Sequence, residues 1–193
     1  MRVLKASGHR VMPWKNGGGT TTEIAAHPEG SDLSTFGWRV SMASVAADGP
    51  FSLFPGIDRT LAVLEGDGID LAIEGRGRHR LTPGSPPHPF PADAPASATL
   101  IAGPILDLNV MTRRGVHRHA VERRTIESAD PIAFTAAWTL ILPRGPIRIG
   151  GVASPAHDLD SGDALIAERG DAPVVLSASA SVTSYLVRID LAE

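Results

Sequence analysis

Apolar and polar residues alternate with period two along most of this chain. In the segment 38–43, Trp38, Val40 and Met42 share one face while Arg39 and Ser41 take the other. Residues 59–64 read as a strand that runs into Glu65-Gly66-Asp67-Gly68, a turn signal. Residues 69–73 then alternate again, so the pattern predicts a hairpin. Over 105–113, Leu106, Leu108 and Val110 face one way and Asp107, Asn109 and Arg113 the other. Further strands are predicted over 134–142, 164–167, 174–178 and 182–189. No long window carries a helical stripe, and the only helical expectation is a short turn near 124–130. The serine-rich, uncharged stretch 172–187 alternates as well, so it reads as strands and not as a membrane span.

Two segments break the alternation. Residues 83–95 hold six prolines in 13 positions and predict a loop. Residues 114–130 are charged and read as a connection between two halves, 1–113 and 131–193. Those halves resemble each other weakly. Thr60-Leu61 matches Thr139-Leu140 at a spacing of 79, and Leu81-Thr82-Pro83-Gly84 matches Leu159-Asp160-Ser161-Gly162 at 78. Two matches at nearly one offset predict a duplicated β unit of about 80 residues. Such a unit closes its edges best as two packed barrels or sandwiches.

Composition sharpens the fold class to all-β. The chain of 193 residues carries 20 Gly and 16 Pro, against averages of about 7% and 5%, and both residues punctuate strands and break helices. Cysteine is absent, which excludes disulfides, thiol nucleophiles and cysteine metal sites. The net charge of −3 gives no basic excess for nucleic acid. With no signal-like apolar run at the N-terminus and no predicted span, a cytoplasmic location is expected. Sixteen of the 18 basic residues are arginine, so a basic binding group here is expected to be a guanidinium fork suited to carboxylates.

Candidate chemistry narrows to two features. The first is Trp14-Lys15-Asn16-Gly17-Gly18-Gly19-Thr20, where a stacking ring, a charge and an amide precede three glycines that let a backbone approach a ligand. It lacks the Gly-Lys-Ser/Thr ending of a phosphate loop. The second is a polar stripe on separate strands, formed by Arg39, Ser41, Arg59 and Asn109. If that face lines the inside of a barrel, it builds an anion site, and a buried guanidinium there needs Asp58, Asp107 or Glu23 as partner. Among the seven histidines only His117 and His119 have ligand spacing, and they sit among arginines, which reads as a solvated linker and not a metal centre. No nucleophile motif is present, so no catalytic residue is assigned.

These residues also carry a resemblance. Trp14 to Thr20 with Glu23, then Trp38-Arg39-Val40-Ser41, Gly49-Pro50-Phe51-Ser52, the run from Phe54 to Arg59, Gly103-Pro104 and the run from Asp107 to Met111 with Arg113 together resemble the HutD/Ves family. The resemblance implies a bicupin, two cupin-type double-stranded β-helix barrels of the RmlC-like jelly-roll kind. It also implies a bacterial protein of histidine utilisation that binds a small carboxylate such as urocanate or formylglutamate and moderates or senses flux. The usual metal-cupin pattern, counted from Gly49, falls on Pro55, Ile57 and Ala62, none of them a ligand. The expectation is therefore a barrel without metal or other cofactor, in which a guanidinium replaces the cation. Its ligand residues would be Trp14, Lys15, Asn16, Arg39, Ser41, Arg59 and Asn109, with Arg59 clamping a carboxylate. The expected partner is that small molecule, with no nucleic acid and no membrane, and self-association as a homodimer stays open. A cupin-type enzyme acting on a small carboxylate, metal-dependent or hydrolytic, is the alternative.

Overall fold

The computed structural model describes residues 1–14, 17–151 and 154–193. Its strands run β1 (Arg2–Leu4), β2 (Arg10–Pro13), β3 (Gly19–His27), β4 (Trp38–Val45), β5 (Gly49–Pro50), β6 (Ile57–Glu65) and β7 (Ile69–Ile73). They continue as β8 (Gly77–Leu81), β9 (His88–Pro91), β10 (Ala96–Leu100), β11 (Ile105–Arg113), β12 (His117–Ile126) and β13 (Asp130–Ile132). The last are β14 (Trp138–Pro143), β15 (Ile147–Gly151), β16 (Ser154–Leu159), β17 (Ala164–Glu168), β18 (Val174–Ser177) and β19 (Val182–Leu191). The helical content of the described residues is a single 3-10 turn at Ala6–Gly8, so the turn expected near 124–130 does not form. No helix is long and apolar enough to cross a membrane among the described residues.

The strands divide into two compact units. The first comprises Arg10–Arg118 with Ala192–Glu193, and the second Met1–His9 with His119–Leu191. In the first unit a six-stranded sheet, β2-β3-β4-β11-β6-β9, faces a four-stranded sheet, β5-β10-β7-β8. Leu61, Val63, Ala43 and Phe90 of the larger sheet pack with Ile69, Leu71 and Ala98 of the smaller one. Each Leu, Ile, Val or Phe side chain among them, taken wholly out of water, contributes about 1.5–3 kcal/mol. The second unit repeats the plan with β12-β19-β14-β17-β1 and β13-β18-β15-β16. Stripped of its extra edge strands, the order β4-β11-β6-β9 over β5-β10-β7-β8 recurs as β12-β19-β14-β17 over β13-β18-β15-β16.

The topology therefore carries the duplication, and it also picks between the two spacings. Leu61 and Val63 face the first core, whereas Thr60 lies on the opposite face. In the second unit Ile141 faces the core, and Thr139, two residues away, shares its side. Matching Thr60 to Thr139 at 79 thus swaps the faces of a strand, the usual result of a one-residue slip. A spacing of 78 aligns Val63 with Ile141, Ile69 with Ile147, Leu71 with Ile149 and Leu81 with Leu159, all core residues.

Several local expectations are corrected. Strands β6 and β7 do not form a hairpin: β6 pairs with β11 and β9, while β7 pairs with β8 and β10. The glycines between them serve close approach, since a Cβ at Gly66 would lie 2.6 Å from the Pro104 carbonyl oxygen and one at Gly68 2.2 Å from that of Leu81. The proline-rich run 83–95 contains β9, which survives because it is the outermost strand of its sheet, where missing N–H donors cost no ladder bond. The charged segment 114–130 is not merely a connection, because it holds the ten-residue β12. Its charges pair: Glu122 with Arg124 at 2.9 Å and Arg188 at 3.1 Å, and Arg124 with Asp130 at 3.1 Å. Residues 1–9, expected with the first half, join the second unit. Strand β1 pairs with β17, Lys5 meets Asp163 at 2.8 Å, and the His9 ring meets the Gly162 carbonyl at 2.9 Å.

Candidate functional site

The site is built on β11, the strand between β4 and β6. Antiparallel register sets Met111 opposite Arg39 on one side and Arg59 on the other. Two residues along, Asn109 lies opposite Ser41 and Leu61, and Ser41 in turn lies opposite Glu23. Two further on, Asp107 lies opposite Ala43 and Val63. Residues directly opposite, and those two apart, share a face. Leu61, Val63 and Ala43 belong to the apolar core between the sheets, so Arg39, Ser41, Arg59, Asp107, Asn109 and Glu23 all lie on the inner face of the six-stranded sheet.

All but Glu23, which is partly exposed, are buried. Asp107 is 0% exposed, Asn109 3%, Arg39 5% and Arg59 7%. The Arg39 Nε donates to Glu23 Oε2 at 2.6 Å and its Nη1 to Ser41 Oγ at 3.3 Å, so this cation is paired. The Asn109 amide nitrogen donates to Asp107 Oδ1. Arg59 has no such partner: its Nε and Nη1 are buried without a hydrogen bond among the described residues, as are Asp107 Oδ2 and Asn109 Oδ1. Its guanidinium instead lies over Phe51, 4.8 Å from the ring centroid, with Phe90 at 5.9 Å.

Burial and charge then act on each other. Desolvation lowers the Arg59 guanidinium to about 10, with Asp107 opposing the fall and Arg39 adding to it. Desolvation raises the Asp107 carboxyl to about 7, against the pull of Arg59, the Asn109 amide and the Ala43 backbone. The two groups feel each other's charge, yet no hydrogen bond or ion pair joins them among the described residues. What the arrangement offers is a set of unsatisfied donors on Arg59 and unsatisfied acceptors on Asp107 and Asn109, inside an apolar shell. That is the chemistry of a small polar ligand site.

The polar stripe expected from alternation is thus brought together: Arg39, Ser41, Arg59 and Asn109 share one interior face. Trp14 lies at its end, where its Nε1 donates to Thr21 Oγ1 at 2.8 Å and its ring packs against the core. Lys15 and Asn16 lie outside the described residues. The glycines beside them turn β2 into β3, with the Gly17 N–H donating to the Trp14 carbonyl at 3.1 Å and the Trp14 N–H to that of Gly19 at 2.9 Å. Of the three carboxylates offered as arginine partners, Glu23 holds Arg39, and Asp107 shares the inner face with Arg59 and acts on it through charge. Asp58 points the other way and binds Arg114 at 2.7 Å. Phe90 escaped notice because it lies in the proline-rich run, although His88 and Phe90 alternate there as a strand would. His117 is no solvated linker residue: it is 6% exposed, edge-on to His27 at 6.0 Å, with His27 stacked on Trp38 at 5.8 Å. No group of three His, Cys, Asp or Glu side chains is placed to hold a metal among the described residues.

A twice-repeated pair of facing β sheets, the larger carrying buried polar groups on its inner face, defines a two-barrel cupin protein. The fold likeness agrees: a cupin 2 conserved barrel domain protein from Leptotrichia buccalis superposes with TM-score 0.58 over 89% of this chain and 88% of its own, at 12% identity. The chain belongs to the HutD family, which it matches over residues 6–184. The HutD of Pseudomonas fluorescens SBW25, solved in a formate condition, shares 28% identity and a TM-score of 0.82, covering 100% of this chain and 99% of its own. An uncharacterized 21.2 kDa protein in the hutC 3' region of Pseudomonas putida is 39% identical over 58% of this chain and 57% of its own length. Protein Ves of Citrobacter koseri is 42% identical over 54% of this chain and 56% of its own. The chain thus spans a little over half the length of these two relatives. The protein is a cupin-fold protein linked to histidine utilisation.

Proposed function

We propose that the first barrel binds a small carboxylate metabolite, of the urocanate or formylglutamate kind, and that the protein thereby senses or moderates histidine-utilisation flux in the cytoplasm. The observation that carries this reading is Arg59: a guanidinium 7% exposed, with Nε and Nη1 unsatisfied among the described residues. A buried cation without hydrogen-bonding partners is costly, and a carboxylate supplies both the charge and the acceptors it lacks. Phe51 and Phe90 hold the guanidinium plane, and Asn109 Oδ1 offers an acceptor to an N–H of the same ligand. Trp14 closes the end of this face.

Isothermal titration calorimetry with urocanate and N-formyl-L-glutamate tests the reading. Binding tighter than about 1 mM is expected for at least one of them. An Arg59→Met variant should lose at least 100-fold in affinity, since charge-assisted hydrogen bonds contribute about 1.5–3 kcal/mol each. Heats weaker than millimolar for both ligands, or binding indifferent to Arg59, would end the proposal.

A further inference from the structure

We propose that Asp107 is the proton-carrying member of this site, so that a bound carboxylate is held between the Arg59 guanidinium and a protonated Asp107, and each anion enters together with one proton. The inference deepens the carboxylate reading above and rests on it.

The geometry fixes where the proton goes. Asp107 Oδ1 already accepts the Asn109 amide, whereas Oδ2 is buried without a hydrogen bond among the described residues. A proton on Oδ2 turns an unsatisfied acceptor into a donor on the same buried face as the unsatisfied donors of Arg59. Both then match a carboxylate, which only accepts.

Charge balance says why the proton is needed. On the face around Asp107, β3 contributes Glu23, β4 Arg39, β6 Arg59 and β11 Asn109. At the edge β9 adds His88, whose ring lies 4.1 Å from that of His79 on β8. The inner residues of β7 and β10 packed opposite are apolar: Ile69, Leu71, Ile73, Ala96 and Ala98. Arg39 and Glu23 cancel as a direct pair. Arg59 and an ionised Asp107 also cancel, so an incoming carboxylate would leave one buried negative charge and two anions facing each other. Protonating Asp107 removes both penalties. Burial already holds that carboxyl near neutrality, and the bound anion pushes it further up. His88 cannot supply this proton above neutral pH, because burial, His79 and Arg76 hold its ring below the ordinary histidine range.

Two measurements test the proposal on the intact chain. In ligand-free protein labelled with carboxyl-13C aspartate, one resonance should titrate near neutral pH and vanish in Asp107→Asn. A midpoint below 5 for that resonance overturns the proposal with no ligand involved. Calorimetry at pH 8 with urocanate, N-formyl-L-glutamate and formate, run in buffers of different ionisation enthalpy, then counts protons. Uptake close to one proton per bound anion is expected, with affinity falling about tenfold per pH unit above 7. Asp107→Asn places an N–H donor at the Oδ2 position, so its binding should show neither proton uptake nor that pH dependence. Binding that needs Arg59 but exchanges no proton between pH 6 and 9 overturns the role of Asp107 and leaves the carboxylate reading standing. If none of the three anions binds, both fall together.

Discussion

Replacing Arg59 by methionine should stabilise the first unit while abolishing its response to carboxylates. Burial lowers this guanidinium by more than two powers of ten in acidity, to about 10. At about 1.4 kcal/mol per tenfold, keeping it charged inside costs about 3 kcal/mol. Methionine keeps the length and apolar stem, fits between Phe51 and Phe90, and carries no donors to leave unpaired. The offsetting loss is the pair of ring contacts at 4.8 and 5.9 Å, about 1–2 kcal/mol together. Asp107 complicates the comparison at pH 7, where removing Arg59 also shifts its protonation. At pH 6 that carboxyl is mostly protonated in both proteins, since it titrates at about 7 with Arg59 present and higher without it. Its contribution then nearly cancels. The expected net gain is about 1–2 kcal/mol, comparable to other replacements of buried charges by apolar residues. Urea denaturation at pH 6, followed by tryptophan fluorescence, measures it. An Arg59→Met protein less stable than the parent by 1 kcal/mol or more would refute the reasoning. It would make Arg59 a strut whose donors are satisfied in solution, and the case for a binding site would lose its main support.

Two further predictions separate structural from functional glycines and locate an acid-sensitive group. Gly19→Ala should cost about 1–3 kcal/mol by overpacking, because its Cβ would lie 2.2 Å from the Ser44 carbonyl oxygen and 3.1 Å from the Trp14 ring. Gly17→Ala meets nothing within 4 Å but has φ of 71°, so its cost should be about 1–2 kcal/mol of left-handed backbone strain; equal urea midpoints for parent and Gly19→Ala would contradict the packing argument. His117 is held below its ordinary value first by burial and then by the charge of His27, so the unfolded chain takes up its proton first and stability should fall as pH drops below about 6.5. Asp107, raised in the folded state, acts with the opposite sign, adding stability as pH falls from 7 toward 4. The loss due to His117 therefore has to be read as a difference: in His117→Gln the urea midpoint should fall less between pH 7 and 5 than in the parent, and an unchanged fall would remove His117 from the account.

Alternation made much of the larger sheets legible, because β4 (Trp38, Val40, Met42), β11 (Leu106, Leu108, Val110) and β14 (Trp138, Leu140, Leu142) each show an apolar run at period two. What it could not convey is pairing. The Gly66 to Gly68 turn looks local in sequence, yet its glycines answer to Pro104 and Leu81, far along the chain. Strand β9 was hidden by prolines that only an edge position tolerates. Strand β12 was hidden by charges that are partnered on β19 and beyond its own end. Strand β1 joins the second unit by pairing with β17 across more than 150 residues, a relation no local pattern carries.

The site was legible in a more limited way, for a physical reason. Period-two patterning assigns Arg39, Ser41, Asn109 and Arg59 to common faces but cannot say which face is inside. In an ordinary half-solvated sheet the polar side is the outer one. Here both faces of β4 and β11 are buried: Trp38, Val40 and Val110 on one side are 2% exposed or less, and Arg39 and Asn109 on the other are 5% or less. The polar stripe therefore lies in the interior and is under far stronger electrostatic constraint than a surface stripe. That constraint decides the roles. Four charged groups share the inner face, and two of them, Arg39 and Glu23, neutralise each other by direct contact. The other two, Arg59 and Asp107, make no hydrogen bond or ion pair with each other among the described residues, although contact would relieve both. A fold selected for stability alone would pair them or replace them with apolar residues. Leaving them apart, one with open donors and the other with an open oxygen, has a physical rationale when a third group, itself an acceptor, comes to lie between them.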